Sequence, residues 1–257
     1  LVYAFYNPKF SFKQVIDKAI EYVRNCQNPD GGFNYMLGGM NGGPGGSGSD
    51  SWEQHPYHFY NANFKLANIA KDNGTLGWKP GRNPIIVNEY GWLWLNRDGT
   101  ATTLTSKLYE NLLGKDSTTA QRRHTYARYL AAETEFWRSH RACAGVLHFC
   151  GLGYSRPDGQ TSDHWLDLEK LVWEPEFFKY VRDSFAPVGL MIDAWAEEYP
   201  AGKRHEFPVV VINDLYENCK AQVRFRILCD GATVREKTQP VEPQPAEPAD
   251  TSETSGK

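Results

Sequence analysis

Over residues 11–26 apolar side chains recur at helical spacing. Phe12, Val15, Ile16, Ala19, Ile20 and Val23 make one stripe, and Ser11 with Gln14 forms a capping box. A β-branched run, Pro84-Ile85-Ile86-Val87, is too short for a helix; it predicts a buried strand that stops at the carboxylate of Glu89. Thr118 and Gln121 offer a second capping box at the head of a long helix over 117–141, with Ala127, Leu130, Thr134 and Trp137 on one face. Residues 142–149, ACAGVLHF, then read as another buried strand. Strand, long helix, strand is a βαβ unit and predicts parallel pairing.

Beyond that unit, 166–185 reads as helix with a break at Glu174-Pro175, and 186–193 as a segment leaving the α/β region. Residues 207–213 predict a strand. So do 221–229, where Val223, Phe225 and Ile227 alternate as inward positions with Arg224 and Arg226 outward. Asp230-Gly231 predicts a hairpin turn with a return strand from Thr233. From Gln239 to Lys257 the chain is rich in Pro, Glu, Ser and Thr and has no aromatic residue, which predicts disorder. A glycine-dense run over 38–50, GGMNGGPGGSGSD, predicts a linker or surface loop and carries no GK[ST] for phosphate binding.

Composition narrows the reading. A chain of 257 residues has room for one large or two ordinary domains, and 14% aromatic content describes an aromatic-rich globular protein. A net charge of -3 removes any general argument for binding nucleic acid or an anionic membrane. No apolar run approaches the roughly 20 residues that cross a bilayer, so no membrane span is expected. Five scattered cysteines (Cys26, Cys143, Cys150, Cys219 and Cys229) hold no C-x-x-C pair. They point to buried thiols rather than a zinc site or a full disulfide framework, and no metal or cofactor is expected. Asn73-Gly74-Thr75 fits a glycosylation acceptor, a weak signal. The first ten residues have neither a basic n-region nor a cleavage site, so they are not a signal peptide, and Leu1 is not expected to be the start of translation. A secreted or periplasmic setting remains one option for a chain without its leader.

The candidate chemistry centres on Glu89. A carboxylate at the end of a parallel strand is placed like a reacting group, and Tyr90, Trp92 and Trp94 follow at once with flat faces of the kind that stack on sugar rings. The alternative is structural: Glu89 caps a strand and the aromatics are core.

Three segments in order, HPYHFYN, NPIIVNEYGW and GVLHFCGLGYSRPDGQTSDHW, resemble the closing part of the catalytic (β/α)8 barrel of clan A glycoside hydrolases, particularly the β-galactosidase-like group. The likeness covers about residues 51–195. It implies that Glu89, at the end of the seventh strand, is the nucleophile of a retaining mechanism. His55 and Tyr57 would hydrogen-bond the nucleophile or the sugar from the sixth strand. His148, at the end of the eighth, would line the sugar subsite with Trp92, Tyr154, Asp163, His164 and Trp165. The segment over 196–238 resembles the start of the immunoglobulin-like sandwich that follows such barrels. The helix over 11–26 with QNPDGGF resembles one repeat, about 5–37, of the prenyltransferase and terpene-cyclase toroids, without the several copies that fold needs.

Together these give an α/β expectation. A helical toroid-like repeat (1–37) and a Gly-rich linker (38–50) precede a partial (β/α)8 barrel of two or three strands (51–195). An incomplete β-sandwich (196–238) and a disordered tail (239–257) follow. A complete barrel takes about 250 residues, so the expectation is a fragment or a splice near residues 38–50. Retaining hydrolysis needs two carboxyls about 5 to 5.5 Å apart, and donors such as Tyr57 and His55 would stabilise the charged form of the first. The only Asn-Glu pair is Asn88-Glu89, so the sequence names no acid/base; Glu53, Glu110 and Glu133 read as solvated surface groups. The expectation is a retaining β-glycosidase, or part of one, with a carbohydrate substrate. A non-catalytic carbohydrate-binding or interaction protein is the alternative, and a terpene-cyclase-like protein a weaker third reading.

Overall fold

In this computed structural model the described residues are 20–21, 52–72, 85–140, 143–153, 158–215 and 217–245. The chain divides into two compact units, Leu1–Glu53 and Gln54–Lys257. In the first, Ile20 and Glu21 are helical and exposed, while the rest of the helical segment expected over 1–37 and the Gly-rich run lie outside the described residues.

Strand β1 (Trp52–Gln54) crosses the boundary between units, and its last residue, Gln54, accepts from the Asn88 N–H at 2.9 Å. Strand β2 (Ile85–Val87) pairs in parallel with β3 (Cys143–Val146), Ile86 facing Gly145 and Val87 facing Val146. Between them run helix α1 (Ser106–Leu113) and the long helix α2 (Thr119–Ser139). The predicted βαβ connection is therefore present, with α2 packed on β3.

Helix α2 starts where its cap chemistry dictates. Thr118 Oγ1 accepts from the Gln121 N–H at 3.2 Å, and the Gln121 side chain accepts from the Thr118 N–H at 2.8 Å, so two otherwise orphaned donors are satisfied. Thr118→Ala removes one of them and is expected to lower unfolding free energy by about 1 kcal/mol in a urea titration. No change in the urea midpoint would refute this account of the helix start. The face carrying Ala127, Leu130, Thr134 and Trp137 is buried, as its spacing predicts. It meets Phe59, Ile69, Val87, Tyr90, Leu93 and Trp94 in one core.

Past β3 the structure departs from the helix expected over 166–185 with a break at Glu174-Pro175. Strands β4 (Trp165–Asp167) and β5 (Val172–Trp173) form a small antiparallel hairpin, and only then does α3 (Pro175–Ser184) begin. Pro175 occupies the first helical position, where its missing N–H costs nothing, and Glu174 caps the helix by accepting from Phe177 N–H at 2.7 Å. The Glu174-Pro175 pair thus starts a helix rather than breaking one.

Strand β6 (Val188–Ile192), which the sequence reading passed over, pairs antiparallel with β7 (Val209–Asn213), and this ribbon packs on α2. Strands β8 (Ala221–Cys229) and β9 (Ala232–Val241) form a long hairpin. Asp230 and Gly231 both take positive φ, 49° and 79°, as a tight turn matched to the right-handed strand twist requires. Of the three inward positions expected on β8, only Val223 is buried; Phe225 and Ile227 are exposed, because the hairpin pairs with no further described strand. Strand β9 continues to Val241, beyond the composition change at Gln239. No helix of the described residues is long and apolar enough to cross a membrane.

Candidate active site

Glu89 lies two residues past the end of β2 and is held at the sheet end by the segment after β1. The Tyr57 hydroxyl donates to Glu89 Oε2, and His55 Nδ1 lies 3.7 Å from the same oxygen. The Glu89 side chain is 16% exposed, so most of it is shielded from bulk water. A ring cluster stands beside it: Trp92 lies 5.2 Å from Tyr57, 5.1 Å from Tyr60 and 4.7 Å from Trp94 between centroids. Of the three aromatics after Glu89, Tyr90 and Trp94 are fully buried core, as the structural alternative held, and only Trp92 is partly open.

The backbone here is unusual. Gly91 has φ 98° and Trp92 φ 78°, and positive φ is disfavoured for a bulky side chain. That left-handed pair turns the chain immediately after Glu89 and swings the Trp92 ring back over Tyr57. Underneath, Tyr90 Oη lies 2.5 Å from Thr134 Oγ1 of α2, and burial pushes the Tyr90 phenol far above its ordinary value.

The other predicted residues gather at a second place. His148 and His164 meet through their Nε2 atoms at 2.8 Å, and the His164 ring stacks on Phe177 at 3.6 Å. Asp163 is buried and fully engaged: Arg97 donates to it at 2.5 Å, and the N–H groups of Gly153 and Trp165 at 2.9 and 3.1 Å. Trp165 stacks on Trp173 at 3.6 Å and donates Nε1–H to the Gly151 carbonyl. Asp163, His164 and Trp165 line a small cavity with Asn96, Arg97 and Tyr126. The structure therefore joins Glu89 with His55, Tyr57 and Trp92, and joins His148 with His164. The His148 ring packs edge-on against Tyr90, the residue after Glu89, at 6.0 Å between centroids. Tyr154 lies outside the described residues.

Burial holds both imidazoles below their ordinary value, His148 at about 3 and His164 further affected by His148, so the pair is neutral with one ring donating to the other. Unfolding restores values near the ordinary ~6.5. Below that pH the unfolded chain takes up protons the folded chain refuses, so this contribution to stability is complete above pH ~6.5 and falls away as the pH drops towards 3. Buried Glu133 and half-buried Glu135, raised by desolvation and the latter to about 7, titrate with the opposite sign; the informative quantity is therefore a difference. Relative to His148→Gln/His164→Gln, wild type is expected to lose about 1.4 kcal/mol per pH unit per imidazole between pH 6.5 and 5 in urea unfolding. Parallel stability curves would contradict the neutral pair.

The contacts described for Glu89 run to Tyr57 and His55, neither of them a carboxylate. Of the three carboxylates weighed from the sequence, Glu110 is paired with Lys107 and Lys115 at 3.1 and 3.4 Å, and the Glu53 side chain lies outside the described residues. Glu133, read from sequence as a surface group, is fully buried. Nearby Cys150 is a poor nucleophile, its thiol pushed up by burial and then by the charges of Asp163 and Glu89. Among the described residues, no group of three or more His, Cys, Asp or Glu is placed to hold a metal ion. No protein-family model and no curated protein matches the chain.

Proposed function

We propose that this chain carries the nucleophile side of a retaining β-glycosidase, with Glu89 attacking the anomeric carbon of a carbohydrate substrate. The observation that carries the reading is the Tyr57–Glu89–His55 cluster beside the half-open Trp92 ring. A carboxylate held by a phenol donor, with a histidine beside it, keeps its orientation, and an indole face suits the apolar face of a pyranose. The sequence resemblance to β-galactosidase-like barrels supplies the substrate class, and a partial (β/α)8 architecture fits the parallel β2–β3 pair with its helical crossover.

A second reading is favoured by the burial of Tyr90 and Trp94 in the core beside the partly open Trp92 ring: a carbohydrate-binding protein that holds a glycan without cleaving it. The two separate on leaving-group dependence. Dinitrophenyl β-glycosides leave without protonation, whereas alkyl glycosides need a general acid. The proposal expects turnover of the dinitrophenyl substrates and at least about a hundredfold less of the alkyl ones. Saturable sugar binding without turnover of either would establish the binding protein instead.

A further inference from the structure

A fully buried carboxyl on α2 lies beneath both segments that build the site. Glu133 is fully buried, and its Oε2 lies only 3.8 Å from where a Cβ on Gly91 would stand, against the left-handed turn that follows Glu89. Its Oε1 lies 3.7 Å from Nδ1 of His58, the residue directly after Tyr57. The His58 ring is sandwiched between Phe64 at 4.9 Å and Trp137 at 5.8 Å, with interplanar angles of 18° and 8°, so it has little freedom to leave the carboxyl. The next residue on α2, Thr134, is the partner of the Tyr90 hydroxyl.

A carboxyl buried at such depth costs several kcal/mol when poorly paired, and an apolar side chain of similar size would pack there at less cost. Burial drives its carboxyl above the usual range, while His58 works the other way. The two elements it touches are the ones that hold Glu89 and Tyr57.

We infer that Glu133 is a positioning residue: through His58 and the Gly91 turn it fixes the Tyr57–Glu89 hydrogen bond in the geometry that attack on a sugar requires. This rests on the glycosidase reading above. Its role is one of alignment, and small misplacements of a reacting group carry large rate penalties. A purely structural role would show in stability and leave the turnover of folded protein alone.

The experiment compares wild type, Glu133→Gln, Glu133→Leu and His58→Asn, taking kcat and KM on a dinitrophenyl β-glycoside and the melting temperature of each. Glu133→Leu is expected to melt at or above the wild-type temperature, yet lose at least about tenfold in kcat with KM within about twofold. Glu133→Gln, which keeps the shape and a polar contact to His58, should recover most of that loss. His58→Asn breaks the contact from the other side and should reproduce it, which keeps the test decisive should the leucine variant fail to fold. Wild-type kcat in both Glu133→Leu and His58→Asn would overturn this inference alone. Absence of any wild-type turnover would overturn the glycosidase reading, and this inference with it.

Discussion

Glu89→Gln is expected to lower turnover of activated aryl β-glycosides by a factor on the order of 10⁴ or more, because an amide cannot form the glycosyl ester on which a retaining mechanism depends. The substitution preserves size, and the Tyr57 hydroxyl can still donate to the amide oxygen, so the melting temperature should stay close to that of wild type. KM for the same substrates should change little, since Trp92 and the ring cluster around it are untouched. Residual turnover within tenfold of wild type would remove Glu89 from the chemistry and leave the aromatic wall as a binding surface.

The largest expected stability effect lies elsewhere, at Arg138. This side chain is nearly buried near the end of α2, and every nitrogen of its guanidinium has a partner. It donates to the carbonyls of Ser184 and Ala186, and to Asp214 Oδ2 at 2.8 and 3.1 Å. One residue thus ties α2 to the end of α3, to the entry of β6 and to the exit of β7. Arg138→Ala removes the shared donor to the Ser184 and Ala186 carbonyls and to Asp214 at once and is expected to cost about 3–5 kcal/mol in urea unfolding. Asp214→Asn leaves the carbonyl contacts in place and should cost nearer 1 kcal/mol. A loss below about 1 kcal/mol for Arg138→Ala would mean that solvent replaces these contacts freely.

Asn213, also buried, extends the same join by donating to the carbonyls of Glu217 and Pro243 at 3.0 and 2.9 Å, which links the β6–β7 ribbon to the chain leaving β9.

Local signals carried most of what could be read in advance. The Thr118–Gln121 box, the β-branched Ile85–Val87 run and the Asp230-Gly231 turn each act within a few residues, and each appears where its chemistry requires. The β4–β5 hairpin was hidden because Leu166 to Val172 has no alternation: its strands are three and two residues long and hold together through the Trp165–Trp173 stack. Strand β6 was missed because its partner, β7, lies across the connecting segment, so an apolar run without a visible mate read as an exit from the domain.

At the site, the Glu89 grouping with His55, Tyr57 and Trp92 was legible, whereas the sequence left open whether Tyr90, Trp92 and Trp94 are core or open faces, since a loop crossing a core buries residues on both sides; the structure buries Tyr90 and Trp94. Glu133 had a signal that the sequence reading did not use. It lies three residues after Leu130 and four before Trp137, which puts it on the buried stripe of α2 rather than on the solvated face.

The central claim, that Glu89 is a nucleophile in a sugar cleft, is tested most directly by covalent trapping. A 2-deoxy-2-fluoro β-glycoside with a dinitrophenyl leaving group forms its glycosyl ester quickly and hydrolyses it slowly, and it needs no acid catalyst for the first step. Peptide mass spectrometry after incubation is predicted to find one added fluoroglycosyl group, on the peptide that contains Glu89, and none on Glu89→Gln. A chain that binds the sugar yet gains no mass, or gains it at another residue, would contradict the account.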